Sequence, residues 1–136
     1  MFNFFYNFMD DILKNILKTF VSWTKLKIKI HLSEREVYPK ARGIWWVSLG
    51  QNIGVETNGK NDKFERPAVV IKVFNNLSIL IAPISSNIKK GKYIVDFINN
   101  EGEKNTINMS QIRSISSKRF IRYVGELNTN DFKKVK

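Results

Sequence analysis

The spacing of apolar residues changes near residue 40, and this change constrains the fold more than any other feature of the sequence. Between residues 4 and 30, apolar side chains recur at steps of three and four, which is the period of an amphipathic helix. Beyond residue 40 they come in short runs rich in Ile, Val, Phe and Trp, as β-strands do. The pattern predicts a helical extension with its connector (1–39) and a separate β domain (40–136).

The extension is expected to form one helix, or two with a bend. Its end stays open, because Leu26, Ile28 and Ile30 alternate with lysines as in a strand. We expect its apolar stripe to pack on the β domain or on a dimer partner rather than on a membrane surface. The stripe consists of Phe5, Met9, Ile12, Ile16, Phe20, Trp23 and Leu26.

Seven short runs in the second part have the composition of strands, and turn-forming residues such as Asn75-Asn76 separate them. These candidate strands are 44–49, 67–74, 77–83, 93–98, 106–109, 112–116 and 120–127. Asn128 and its neighbours offer caps for a short C-terminal helix. Many short strands predict a mainly β (α+β) domain, built as a small barrel or sandwich.

The chain has a formal net charge of +11, and its distribution points to the β domain. The first 39 residues carry six basic and four acidic side chains, so +9 of this charge falls on the other 97 residues. A basic domain attracts polyanions, which makes nucleic acid a natural partner. Solubility alone is the competing explanation for such a charge.

Several kinds of catalytic site are missing from the sequence. There is no cysteine for a disulfide, a thiolate zinc site or a nucleophile, and His31 is the one histidine. No glycine-rich phosphate loop occurs, and the carboxylates are too scattered to predict a magnesium cage. We therefore expect no cofactor and no metal, and any hydrolytic chemistry must use arginine, hydroxyls and single carboxylates.

The uncharged N-terminal run is too short to span a bilayer, and the apolar residues after it are interrupted by Asp10, Asp11, Lys14 and Lys18. The run also lacks the basic start and continuous apolar stretch of a secretory signal. The sequence thus predicts a cytoplasmic protein without a membrane partner.

Several segments of the β domain, taken in order, resemble the MazF/PemK toxins. The family's "W-x-V-D/S-L" strand, "E-Q-x-G" loop, "R-P-A/V-V-V", "P-I/L-T-S/T" and "Q-I-R-T-I" motifs have counterparts here, and so has its "G-x-L". They are Gly43–Gly50, Ile53–Gly59, Arg66–Ile71, Ala82–Ser86, Ser110–Arg119 and Gly125–Leu127. Each segment alone is weak, but their order and spacing over residues 42–135 are specific.

The resemblance implies an SH3-like β-barrel of the MazF/PemK/CcdB type and a homodimer. It also implies a toxin that cleaves single-stranded RNA, including mRNA, at short sequences without a metal. An acidic antitoxin would occupy the RNA groove, and the toxin–antitoxin complex would bind DNA. Two alternatives stay open: a CcdB-like poison of DNA gyrase without nuclease activity, and an inactive RNA-binding barrel.

The family's two best-established functional positions fall on Arg66 and Ser85. A guanidinium can donate to two phosphate oxygens at once, and a hydroxyl can donate to a third, so the pair suits a pentavalent phosphate. Many relatives have threonine at position 85, so the serine here keeps the hydroxyl but loses the methyl that restricts its rotamer. Ser86 is the reserve candidate for this hydroxyl.

The remaining candidates come from the same resemblance. Glu56 would orient Arg66 or contact RNA, with a solvated loop carboxylate as the alternative. Gln111 and Arg113 would line the RNA groove, unless they serve as scaffold of the barrel. Trp45 and Trp46 are neighbours on a predicted strand and should face opposite sides. Either both belong to the core, which is the commoner outcome for tryptophans, or one does and the other stacks on a base or lies in a dimer interface.

Overall fold

The computed structural model describes residues 2–136, which form two α-helices and seven β-strands. The elements are α1 (Phe2–Leu32), β1 (Gly43–Ser48), β2 (Glu65–Asn75), β3 (Ser78–Ser85), β4 (Ile94–Ile98), β5 (Lys104–Asn108), β6 (Arg113–Ser116), β7 (Phe120–Glu126) and α2 (Thr129–Val135). All seven predicted strands are present, none displaced by more than two residues at either end. The short C-terminal helix is also confirmed.

Helix α1 is continuous, so the alternation at its end does not produce a strand. Trp23, Leu26 and Ile30 are three and four residues apart, and this spacing continues the helical stripe through the ambiguous segment. None of the helices within residues 2–136 is long and apolar enough to cross a membrane. By its internal contacts the chain divides after Ser33, and a second compact unit runs from Glu34 to Lys136.

The strands of the second unit form one antiparallel sheet in the order β4-β5-β3-β2-β1-β7. Strand β3 is shared on its other edge: β6 pairs with Ser78–Ile81, and β5 pairs with Ile84 and Ser85. Across residues 2–136, no strand pairing joins β7 to β4 or to β6. The sheet is therefore open between its two end strands, and the predicted closed barrel is not confirmed.

Strand β2 is buried on both faces, which explains why its sequence is a run of apolar residues rather than an alternation. Ala68 and Val70 belong to one core cluster, and Val69 belongs to the other. The second cluster also contains Phe132 and Val135 of α2, so the C-terminal helix completes the core. Each fully buried aliphatic side chain contributes roughly 1.5–3 kcal/mol before ordering costs. Arg66 lies just ahead of this buried run.

Candidate functional site

Two adjoining clefts open around the start of β2 and the end of β3. The larger has a volume of about 590 Å³ and the smaller about 200 Å³. The residues that line both are Arg66, Ile84 and Ser85. The two side chains that the sequence predicted as catalytic thus lie together, where one cleft meets the other.

The register between β2 and β3 explains why Arg66 and Ser85 lie together. The last pair between β2 and β3 joins Ala68 to Pro83. Continued by two residues, the same register sets Arg66 opposite Ser85, on the same face of the sheet as that pair.

Arg66 is anchored at one nitrogen and free at the other two. Its Nε donates to the carbonyl oxygen of Asn58 at 2.9 Å. Neither terminal amine makes a hydrogen bond or ion pair with another residue of the 2–136 range. Burial lowers the pKa of the guanidinium from its usual value. Both free amines can therefore donate to one phosphate group, because the guanidinium plane is already fixed.

The loop before β2 holds Asn58 in place. Asn58 Oδ1 accepts from the backbone N–H of Asn52, whose own side-chain amide donates to the carbonyl oxygens of Leu49 and Thr57. Gly59 follows, and a Cβ there would lie 1.7 Å from the carbonyl oxygen of Phe64, so only glycine fits. Hydrogen bonds therefore hold the loop together and tie it to the first residues of β2, and this fixes the position of Arg66.

Ser85 ends β3 and stands opposite Thr106 of β5. Its Oγ accepts from the backbone N–H of Asn87 at 3.1 Å, which leaves the hydroxyl hydrogen available to donate. Thr106 is buried, and its hydroxyl donates to the carbonyl oxygen of Asn87 at 3.1 Å and, more weakly, to that of Ser85 at 3.4 Å. Thr106 thus acts as a positioning residue for the turn that carries Ser85.

Of three other residues predicted for the site, one lines a cleft and two do not. Ser86 is exposed and lines the larger cleft beside Ser85. Glu56 lines neither cleft, and its carboxylate accepts from the backbone N–H of Ile53 within its own turn. Arg113 also lines neither, and its charge adds to burial in lowering the pKa of Arg119. The structure therefore brings Ser86, but not Glu56 or Arg113, to the walls around Arg66.

Gln111 holds the loop between β1 and β2. Its side-chain oxygen accepts from the N–H of Thr57 at 3.0 Å, and its side-chain nitrogen donates to the carbonyl oxygen of Val55 at 3.2 Å. Both ends of the amide are thus engaged with the loop that carries Asn58. The contacts give Gln111 a structural role, through the loop that fixes Arg66.

The two neighbouring tryptophans have different surroundings. Trp45 packs edge-on against the buried Phe120 and against Tyr123, with ring centres 5.6 and 5.4 Å apart. Trp46 lines the larger cleft. The sequence left open whether both rings or only one would belong to the core. Both are half-buried: Trp45 packs against a core cluster, and Arg122 lies over the ring of Trp46. Sequence reasoning missed Asn58 and Thr106, for which only the Asn-Gly turn signal at 58–59 gave any hint.

Across residues 2–136, no group of three or more His, Cys, Asp or Glu side chains is arranged to hold a metal ion. The polar groups that the two clefts share are the guanidinium and the hydroxyl, on a chain with a net charge of +11. Together these features define a small basic α+β domain whose site is suited to a phosphate-bearing ligand.

The chain belongs to the family of PemK-like, MazF-like toxins of type II toxin–antitoxin systems. The sequence profile of this family matches residues 40–136, which covers all seven strands and α2. The resemblance found in the sequence motifs is thereby confirmed. No curated protein matches the chain in sequence.

Solved structures share the fold at low identity. MazF from Deinococcus radiodurans has a TM-score of 0.58 and 19% identity, over 74% of this chain and 91% of that one. The Mycobacterium tuberculosis toxin MazF-mt6 has a TM-score of 0.53 and 14% identity, over 69% and 88%. A mycobacterial endoribonuclease in complex with its cognate antitoxin has a TM-score of 0.53 and 14% identity, over 71% and 86%. These matches show the MazF fold for the β unit.

Proposed function

We propose that this toxin is a metal-independent endoribonuclease that cleaves single-stranded RNA at specific sequences. The observation that carries the proposal is the arrangement of Arg66, whose Nε is anchored while both terminal amines stay free in a cleft that Ser85 also lines. These donors suit a phosphate group, which is the group attacked when RNA is cleaved. Family membership supports the same activity.

The reaction follows from the chemistry of RNA. The 2′-hydroxyl of the ribose loses its proton to solvent water as its oxygen attacks the neighbouring phosphorus. The bond from phosphorus to the 5′-oxygen breaks, and this oxygen takes up a proton from solvent. The products are a 2′,3′-cyclic phosphate and a 5′-hydroxyl. Negative charge builds on the phosphate oxygens in the pentavalent transition state. Donors already in place for that charge cost no reorganisation, and each is worth about 2.7–4 kcal/mol of barrier.

Arg66 and Ser85 divide this work. The two free amines of Arg66 donate to two phosphate oxygens, and the Ser85 hydroxyl donates to a non-bridging oxygen. Gln111 supports the site through the loop, and Ser86, on the rim of the larger cleft, is the reserve for the hydroxyl.

The biological setting is part of the proposal. The partners are single-stranded mRNA and an acidic antitoxin, and a relative of this fold has been solved with its cognate antitoxin. We further propose that the toxin is a homodimer, that it acts in the cytoplasm, where its substrate is, and that the toxin–antitoxin complex binds DNA.

The test is to incubate the purified protein with RNA in EDTA and to analyse the ends of the products. We expect cleavage with cyclic-phosphate and 5′-hydroxyl ends. Strict dependence on added magnesium, or 5′-phosphate ends, would contradict the mechanism. A parallel DNA-gyrase assay addresses the CcdB-like alternative: gyrase inhibition without RNA cleavage would favour it. RNA binding without cleavage would indicate an inactive RNA-binding domain.

A further inference from the structure

The smaller cleft presents a cation that the proposed chemistry does not use. Lys89 lines this cleft and is exposed to solvent. Its ammonium makes no hydrogen bond or ion pair with any other residue of the described chain, 2–136. An ammonium carries three N–H donors and no acceptor. Lys89 therefore has its full donor capacity available for a ligand that enters the cleft from solvent.

A second donor in the same cleft is the side-chain amide of Asn108, the last residue of β5. Its Oδ1 accepts from the backbone N–H of Ser110 at 3.0 Å and from the Ser110 hydroxyl at 2.6 Å. Its Nδ2 makes no hydrogen bond to another residue between 2 and 136, so the amide offers only N–H groups. Asn108 lies two residues beyond Thr106, on the same face of β5, and Thr106 stands opposite Ser85. The free amine is therefore near the end of β3 that carries Ser85.

The two clefts differ in the charge of their walls. Among the described residues that line the smaller cleft, none is Asp or Glu, and its charged groups are Arg66 and Lys89. The larger cleft is lined by three carboxylates, those of Glu65, Glu101 and Glu126. A cleft whose charges all have one sign focuses the electrostatic field and concentrates ions of the opposite sign. The smaller cleft is therefore the one that attracts an anion.

The position of these donors relative to Arg66 and Ser85 indicates which anion they suit. Arg66 and Ser85 line both clefts, so the phosphate that they would hold lies where the clefts meet. RNA carries one phosphate per nucleotide, and a strand that continues from this point into the smaller cleft brings its next phosphate towards Lys89 and Asn108. A phosphate is charged and only accepts hydrogen bonds, so it matches donors without acceptors. A nucleobase is uncharged and gains less from the two cations.

We propose that the smaller cleft is a second phosphate site, which binds the phosphate next to the cleaved one along the RNA strand. Lys89 supplies the charge, and the Nδ2 amine of Asn108 donates a hydrogen bond to the same phosphate. The site binds the RNA backbone, so it strengthens binding without reading the base sequence. The inference rests on the proposed function, since it takes RNA as the substrate of Arg66 and Ser85.

The experiment removes the charge of one phosphate at a time. The probe is a short RNA with a mapped cleavage step, blocked by a 2′-O-methyl group on the attacking ribose and titrated by fluorescence anisotropy. Two further probes carry a neutral methylphosphonate at the phosphate immediately 5′ or immediately 3′ of that step. We expect the methylphosphonate on one of the two sides to raise the Kd about five- to tenfold, between the effects of an exposed ion pair and of a hydrogen bond to a charged group.

Three variants assign the effect to Lys89. Lys89→Gln removes the cation, so the methylphosphonate should raise the Kd of this variant by about twofold or less. Lys90→Gln makes the same change at the adjacent residue, which is exposed and lines neither cleft, and it should keep the full sensitivity. Lys89→Arg retains a cation and should keep most of the sensitivity. Melting curves check that the variants fold, which is expected because both lysines are exposed.

Equal Kd values for the three probes would overturn the second phosphate site, and so would a sensitivity that persists in Lys89→Gln or that Lys90→Gln reduces equally. If unmodified RNA is still cleaved in those cases, the proposed function stands. Binding of RNA without any cleavage would contradict the proposed function alone, and methylphosphonates at each linkage in turn would then test the second site. Failure both to bind and to cleave RNA would overturn both.

Discussion

Arg66 has one anchored nitrogen and two free amines, so its contribution depends on the fork of the guanidinium rather than on charge alone. Arg66→Ala should lower the cleavage rate at least about 100-fold, the cost of losing a transition-state donor. Arg66→Lys should restore little, because an ammonium cannot bind two oxygens in the same plane. Cleavage rates on a fixed RNA, with melting curves as the control, test this. Near-normal cleavage by folded Arg66→Ala would place the site elsewhere.

Ser85 and Ser86 provide a matched pair for the hydroxyl. Ser85→Ala should reduce cleavage roughly 100–1000-fold if the hydroxyl stabilises the transition state. Ser85→Thr should keep or raise the rate, because it retains the hydroxyl and restricts its rotamer. Ser86→Ala is the control, since Ser86 is exposed and lines only the larger cleft. If Ser85→Ala cleaves at the normal rate and Ser86→Ala does not, the catalytic hydroxyl belongs to Ser86 instead of Ser85.

The sequence predicted which residues line the site, but not the residues whose hydrogen bonds hold them in position. The motifs placed Arg66 and Ser85 on successive strands, and the register of β2 with β3, continued two residues past its last pair, sets them opposite each other. Asn58 and Thr106 act through hydrogen bonds across 8 and 19 residues of sequence. Such contacts depend on the path of a loop and on the pairing of β3 with β5. No local pattern encodes either.

At the scale of elements, the loop between β1 and β2 depends on Gln111, which belongs to a distant part of the chain. Gln111→Ala removes both bonds to the loop and should make it more sensitive to proteolysis, with a several-fold loss of cleavage. Gln111→Glu keeps an acceptor for the Thr57 N–H and should lie between the two. Limited proteolysis of the three proteins, read by mass spectrometry, reports the effect. Equal loop protection in all three would show that these bonds do not hold the loop.

Helix α1 carries apolar side chains that are exposed to water in the structure, among them Phe5 at 61% and Ile16 at 48%. Exposed apolar patches of this kind call for a covering surface. We expect deletion of residues 1–30 to lower the melting temperature or the solubility. The cleavage chemistry should survive, since Arg66 and Ser85 belong to the other unit.

A membrane-surface role for α1 predicts a different result for the same truncated protein. The deletion would then release the toxin from anionic vesicles without a loss of stability. A melting curve and a vesicle-sedimentation assay separate the two. Unchanged melting and solubility, together with lost vesicle binding, would refute the packing expectation.

The strands could be predicted because their signals are local. Apolar runs and asparagine turns gave all seven strands to within two residues. At Leu26–Ile30 two periods fitted equally well, and local pattern could not decide between helix and strand. Helix formation there also satisfies the three- and four-residue spacing of the preceding turns, and that continuity decides the outcome.

At the scale of the whole molecule, sheet closure lies beyond what the sequence can predict. Whether β7 meets β4 depends on the twist and stagger accumulated over every strand between them. The larger cleft contains residues from both end strands, namely Phe97 and Ile98 of β4 and Val124 of β7. The same geometry that leaves the sheet open thus supplies walls of the candidate site.

The central claim is that RNA is cut by its own 2′-hydroxyl while Arg66 and Ser85 stabilise the phosphate. The direct test is an RNA with a single mapped cleavage step, compared in EDTA with the same RNA carrying 2′-deoxyribose on the 5′ side of that step. We predict cleavage of the first to a 2′,3′-cyclic phosphate and a 5′-hydroxyl, and no cleavage of the second at that position. Cutting of the deoxy-substituted step at a comparable rate would contradict the account, because the attacking oxygen would then come from elsewhere.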